Sequence, residues 1–185
     1  MTSFSAFVVG MPRSKTWDGG AATNNWGDAN NWNPNGVPTS ASNVSLTAAK
    51  TIDINDAAVS RNATLNNSGL VLTILASQSL TVSMNLTITD GALNTQASFP
   101  AVSGTTSITG GTVGYTGAGS QTVAVSAYNN LTISGSGTKS LAGNSTVAGN
   151  LTISSGTLNL GTNTANRTVA AGILSLSSGA TLMLA

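Results

Sequence analysis

The amino-acid sequence predicts an all-β chain, a right-handed parallel β-solenoid of about seven coils with a Trp-rich cap at its N-terminal end. Three observations carry that expectation. One short motif returns in a single frame, apolar and polar residues alternate strictly inside each copy, and all three Trp residues precede the repeat. Self-similarity at a fixed period of 20 to 50 residues is the mark of stacked architectures.

The motif is clearest as Asn150-Leu151-Thr152-Ile153-Ser154-Ser155-Gly156-Thr157-Leu158. It recurs as Asn130-Leu131-Thr132-Ile133-Ser134 and as Asn85-Leu86-Thr87-Ile88-Thr89-Asp90-Gly91-Ala92-Leu93. Weaker copies are Val44-Ser45-Leu46, Ala63-Thr64-Leu65, Thr106-Ser107-Ile108 and Leu174-Ser175-Leu176. Anchored on the first inward residue, the copies start at 44, 63, 86, 106, 131, 151 and 174, in steps of 19, 23, 20, 25, 20 and 23. Such a step is one supersecondary unit of a solenoid. Seven coils at about 4.8 Å per rung would make a rod on the order of 30 Å long.

Within a copy, Leu151 and Ile153 face one way and Thr152 and Ser154 the other, a period that suits a strand and not a helix. Gly156 then breaks the strand and Leu158 resumes the alternation. A further short strand precedes many anchors, as in Leu80-Thr81-Val82, Gln121-Thr122-Val123, Ser145-Thr146-Val147 and Arg167-Thr168-Val169. Each coil therefore reads as two or three strands joined by tight turns. An antiparallel sandwich would share the alternation but not the recurrence of one motif in one frame.

Asn43, Asn62, Asn85, Asn130 and Asn150 stand just before five of the seven anchors. Asn tolerates the left-handed backbone of a sharp corner, and stacked amides can also bond along the coils; both readings are open. The Asn-x-Ser/Thr sequons this creates, at Asn85, Asn130 and Asn150, read as by-products of a turn followed by a strand.

The chain divides into residues 1–43, a strand and Trp-rich cap region, and residues 44–185, the solenoid. The apolar stretch Phe4 to Met11 lacks a basic segment before it, with Arg13 and Lys15 following instead, so it reads as an extra strand or cap and not as a signal peptide. At the other end the pattern stops at Leu182-Met183-Leu184-Ala185 without polar capping. More coils are expected to follow in a parent protein, and the open end is expected to take a further coil or a like subunit, end to end.

Trp17, Trp26 and Trp32 lie in Thr16-Trp17-Asp18-Gly19-Gly20, Asn25-Trp26-Gly27-Asp28 and Asn31-Trp32-Asn33-Pro34-Asn35-Gly36-Val37-Pro38. They are expected to fold over the first coil near Val44 and Leu46, since an open solenoid end must be covered. The alternative is a platform on which glycan rings stack. With the Asn-Leu-Thr-Ile repeats that follow, this spacing resembles the opening of large bacterial cell-surface and secreted β-solenoid repeat proteins, which are adhesin-like, autotransporter-like or exported by the type IX route. The resemblance covers residues 16 to 45 by motif and 63 to 184 by repeat style. It implies a secreted or cell-surface location and a structural or adhesive role, and it brings no catalytic residues.

Composition narrows the chemistry. Only 6% of the residues are charged, with no Glu, His or Cys, so His-based triads and thiolate or imidazole metal sites are excluded. The five carboxylates are Asp18, Asp28, Asp53, Asp56 and Asp90, and with only Asp90 beyond residue 56 the solenoid body past that point cannot pair two of them for acid and base work. The expectation is a non-enzyme with no cofactor. Asp53 and Asp56, with Asn55, offer oxygens to Ca²⁺, although no Ca²⁺-loop spacing supports them over ordinary turn carboxylates. Six scattered basic residues give no footprint for nucleic acid, and no apolar run is long enough for a transmembrane helix.

The outward positions Thr87/Thr89, Ser107/Thr109, Thr132/Ser134, Thr152/Ser154 and Ser175/Ser177 are expected to line up as two rows of hydroxyls on one flat face. Ice-binding solenoids are similar in presenting ordered Thr rows; the plain reading is that Ser and Thr are the polar partners of an alternating strand. The function expected is an extracellular structural or adhesive module assembled through stacked β-coils. The alternatives are a carbohydrate- or ice-binding solenoid, with cell-surface glycans as partners, and a non-catalytic part of a glycan-degrading enzyme.

Overall fold

The computed structural model describes residues 13–125, 127–167 and 172–184. The segment Phe4 to Met11, the pair Thr168 and Val169, and Ala185 lie outside the described residues. The chain forms a parallel β-solenoid in which, among the described residues, twenty-three short strands gather into five sheets.

The central sheet runs through the whole stack. It holds β4 (Thr51–Ile54), β7 (Val71–Ile74), β10 (Ala92–Thr95), β13 (Thr112–Tyr115), β16 (Asn130–Ile133), β19 (Leu151–Ile153) and β22 (Leu174–Leu176), all parallel. Its inward column is Ile52, Leu72, Leu93, Val113, Leu131, Leu151 and Leu174, each on the register partner of the next. The first six are buried, each worth about 1.5–3 kcal/mol of apolar transfer.

The other faces change halfway. In the N-terminal half, one sheet flanks the central one with β1 (Arg13–Trp17), β3 (Ser42–Leu46), β6 (Asn62–Leu65), β9 (Leu86–Ile88) and β12 (Thr106–Ile108). A third face holds β5 (Ala57–Ser60), β8 (Ser79–Val82) and β11 (Ala101–Val102). In the C-terminal half these faces are rebuilt. One consists of β14 (Gln121–Val123), β17 (Thr138–Leu141), β20 (Thr157–Asn159) and β23 (Thr181–Met183). The other consists of β15 (Ala127–Tyr128), β18 (Ser145–Val147) and β21 (Ala165–Arg167). Among the described residues no ladder joins β11 to β14 or β12 to β15.

This seam corrects the single frame read from sequence. The copies at 44, 63, 86 and 106 stack in the first flanking sheet, whereas those at 131, 151 and 174 stack in the central sheet. Leu131 lies on Val113 and not in the column of Leu86. The coil-to-coil steps along the central sheet are 20, 21, 20, 18, 20 and 23, so the odd step of 25 from 106 to 131 marks the motif moving on by one face. The motif specifies a strand, a corner and a strand; it does not specify which face.

Corners explain the glycines. Gly111 has φ +64° and Gly156 φ +68°, and a Cβ on Gly156 would sit 2.5 Å from the Gly135 carbonyl oxygen of the previous coil. A side chain there would be strained and would clash. The Asn residues before the anchors are not left-handed: the only non-glycine residue with positive φ among the described residues is Ser77. They form a ladder instead. Asn62 Nδ2 donates to Asn43 Oδ1 (2.7 Å), and Asn62 Oδ1 accepts from Asn85 N (3.0 Å). Asn85 Oδ1 accepts from Thr105 N (3.0 Å). In the other half Asn130 Oδ1 accepts from Asn150 N, and Asn150 Oδ1 from Ile173 N, both at 2.9 Å.

Candidate functional site

The Trp residues are buried at the N-terminal end, Trp17 at 6% and Trp26 and Trp32 at 0% exposure. Trp32 makes edge contacts with both others, with ring centroids 5.0 Å from Trp17 and 4.7 Å from Trp26. Its indole Nε1 donates to the Trp26 carbonyl at 2.8 Å, while Trp26 Nε1 is buried without a partner. With no ring face open to solvent, the three Trp residues offer no platform for glycan stacking, which corrects that alternative. Their segment also closes strand edges. β2 (Trp32–Asn33) pairs antiparallel with β1, and Trp26 N and Asp53 O, with Asp53 N and Asn24 O, add a bridge to the free edge of β4. Because β1 itself lies parallel on β3, the region before residue 44 already contains a rung of the solenoid.

Two lysines face inward, in phase with the apolar positions of their strands, although in sequence they counted only among six scattered basic residues. Lys15, two residues before Trp17, donates from Nζ to the carbonyls of Pro34 (2.6 Å) and Asn35 (3.0 Å) and ties down the cap loop. Lys139, fully buried between Gln121 and Leu158, donates to the carbonyls of Gly117 (2.6 Å), Gly119 (3.1 Å) and Ser136 (2.5 Å). Desolvation by burial pulls the Lys139 ammonium below its ordinary value.

Lys139 belongs to a polar interior at the seam, where side chains replace the missing ladders. Tyr115 and Tyr128 are hydrogen-bonded to each other through their hydroxyls (3.1 Å). The Tyr115 hydroxyl also accepts from Ala124 N (3.1 Å) and that of Tyr128 from Val125 N (3.0 Å). Gln121 Nε2 donates to the carbonyls of Thr95 and Ala97, and its Oε1 accepts from Gly117 N. Burial is the main reason that both tyrosine hydroxyls are pushed to high pKa, and for Tyr128 the neighbouring Tyr115 adds to it. Outside this interior lies a groove of about 430 Å³ lined by Phe99, Pro100, Val102, Ile108 and Val125 among others. None of this is an acid–base or nucleophilic arrangement; it is how a buried seam keeps its backbone groups satisfied.

The expected hydroxyl face is split by the same seam. Thr87 lies on the outer side of the first flanking sheet and Thr89 at its corner, whereas Thr132 and Thr152 lie on the outer side of the central sheet. The four do not share a face, which corrects the two-row array. What the structure brings together instead is a column across five rungs of the first flanking sheet, Thr16, Ser45, Thr64, Thr87 and Ser107.

Asp53 is outward on β4 and Asp56 is exposed in the turn before β5, with its carboxylate packed over Gly27. Among the described residues no three His, Cys, Asp or Glu side chains come together, so Asp53 and Asp56 gather no further carboxylate for Ca²⁺. No helix among the described residues is long and apolar enough to cross a membrane.

The last rung differs from the first. Ile173, Leu174, Leu176, Met183 and Leu184 are exposed, Leu184 at 67%, and among the described residues β22 and β23 are paired on one edge alone. No protein-family model, no curated protein and no solved structure matches this chain.

Proposed function

We propose that this chain is an extracellular structural or adhesive module of a bacterial surface protein, built to continue by β-coil stacking on β-coil. The observation that carries the reading is the asymmetry of the two ends. At one end three Trp rings are buried and an antiparallel strand closes an edge. At the other, an unpaired strand edge stands beside exposed Leu174, Leu176 and Leu184. A free edge above an apolar core is satisfied by another β-coil, which supplies backbone partners and apolar cover at once.

The body of the molecule suits a passive role. Its interior holds one apolar stack interrupted by a polar seam whose groups bond to each other and to backbone, and its surface is mostly hydroxyl and amide. A secreted or cell-surface location is part of the same proposal. It rests on the resemblance of the Trp-rich opening and the repeats to bacterial surface chains.

Sedimentation of the 185-residue chain over a wide concentration range tests the stacking. The weight-average mass should rise with concentration, and Leu174→Lys with Leu176→Lys should return it to that of a monomer while the circular dichroism of the β-coils is kept. A monomer at every concentration, unchanged by these substitutions, would show that the C-terminal rung recruits no further coil.

A further inference from the structure

We propose that the outer face of the first flanking sheet is a binding surface for ordered water at the face of an ice crystal. Three outward columns cover it. One is Asn43, Asn62, Asn85 and Thr105; the second is Ser45, Thr64, Thr87 and Ser107; the third is Thr47, Asn66, Thr89 and Thr109. All twelve positions carry a hydroxyl or an amide, and none carries a charge, an aromatic ring or a large apolar side chain. β1 extends the first two columns with Ser14 and Thr16.

The central sheet shows that such uniformity is not simply what alternation gives. Its outward positions include Asp53, Val71, Ala92 and Gly114 among the polar ones. The flanking face is also kept in register. The Asn43-Asn62-Asn85 ladder bonds coil to coil through Thr105 N, and side-chain ladders are one of the devices that hold a sheet flat against its natural twist.

The chemistry of the middle column points to water. The hydroxyls of Ser45, Thr64, Thr87 and Ser107 have no protein partner among the described residues, so their hydrogen-bonding capacity faces outward. They repeat about every 4.8 Å from rung to rung, and the neighbouring column is about 6.7 Å away along the strand. The first two columns run over five rungs, about 19 Å, and all three together are about 13 Å wide over four rungs, a regular two-dimensional array of hydroxyls and amides of the kind an ordered layer of water can meet. A crystalline polysaccharide would call for exposed aromatic rings, and this face has none.

Ice-recrystallisation inhibition and ice-affinity partitioning of the 185-residue chain decide the matter. The expected result is activity in the native chain, its loss in Thr64→Tyr and Thr87→Tyr, and its retention in Thr157→Tyr on another face. Tyr suits an outward, half-buried strand position, and circular dichroism checks that the variants keep the fold. Absence of ice activity in the native chain overturns the proposal. Activity that survives Thr64→Tyr and Thr87→Tyr overturns the assignment to this face. Co-sedimentation with crystalline chitin or cellulose in place of ice would mark a polysaccharide surface and would equally overturn it. The sedimentation behaviour of the C-terminal rung is independent of all these outcomes.

Discussion

The two halves of the solenoid use the same motif for different faces. Above the seam, Leu86-Thr87-Ile88 turns through Gly91 into the central sheet; below it, Leu151-Thr152-Ile153 is the central sheet and turns through Gly156 into a new one. Only the central sheet takes both roles, so it alone is unbroken. The lesson is that a β-coil repeat encodes a local corner, and that the assignment of corners to faces is made where coils stack. Where the assignment changes, two ladders are lost, and Tyr115, Tyr128, Gln121 and Lys139 take over the freed backbone groups.

If the seam is held by these side chains, the largest effect should come from its lysine. Lys139→Ala leaves three carbonyls without their donor and a gap in the core, and should cost about 3 kcal/mol or more. Lys15→Ala, whose partners Pro34 and Asn35 are exposed and open to water, should cost about 1 kcal/mol. Urea unfolding of both variants measures the contrast; equal costs would mean that the seam is no more dependent on its lysine than the cap is.

Next in size is the tyrosine pair. Tyr115→Phe and Tyr128→Phe each strand one backbone N–H and should cost about 1–2 kcal/mol, with faster hydrogen exchange near Ala124 and Val125 and little change in the N-terminal half. pH sharpens the same contrast. Burial raises both tyrosines above their ordinary value near 10, so folding favours the protonated hydroxyls. Their contribution is complete below pH 10 and is lost as pH climbs further. The lowered Lys139 acts oppositely, since the unfolded chain binds its proton more tightly and stability from this group rises as pH approaches its ordinary value. Stability followed from pH 7 to 11 should therefore fall above pH 10 in the native chain, and fall less in the double Phe variant. Lys139→Met should remove the opposing rise.

The smallest expected effect is in the Asn ladder. Asn62→Ala removes a donor to Asn43 and an acceptor for Asn85 N at a half-exposed position, and should cost about 1 kcal/mol by thermal or urea unfolding. Asn130→Ala frees Asn150 N and also removes the Nδ2 donor to the Gly111 carbonyl, and should cost a similar amount, because each of the two amides makes one accepting and one donating bond to a neighbouring coil.

Much of the fold was legible because strand alternation and Gly corners are local. Leu151, Ile153 and Gly156 announce strand and turn without reference to any neighbour. The change of face was not legible, because Leu131-Thr132-Ile133 alternates identically whichever sheet receives it. Its traces were the long step from 106 to 131 and the two Tyr residues that fall within it. The hydroxyl rows were joined into one face for the same reason: Thr87 and Ser107 do share a sheet, but Thr132, which looks equivalent in sequence, lies on a different side of the coil. Lys139 was readable in principle, since Thr138-Lys139-Ser140-Leu141 puts it in phase with Leu141, but a lone Lys suggests solvent until carbonyls are seen to surround it.

The unbroken central sheet has a mechanical meaning. Pulled along its axis, the rod passes tension through three ladders between coils in either half, but through two at each step beside β13: β12 on β9 with β13 on β10, then β16 on β13 with β17 on β14. The weakest cross-section is therefore internal and fixed in position. A stack loaded this way is expected to part first at one of these two steps, where two ladders hold in place of three, while the coils on either side keep all of theirs.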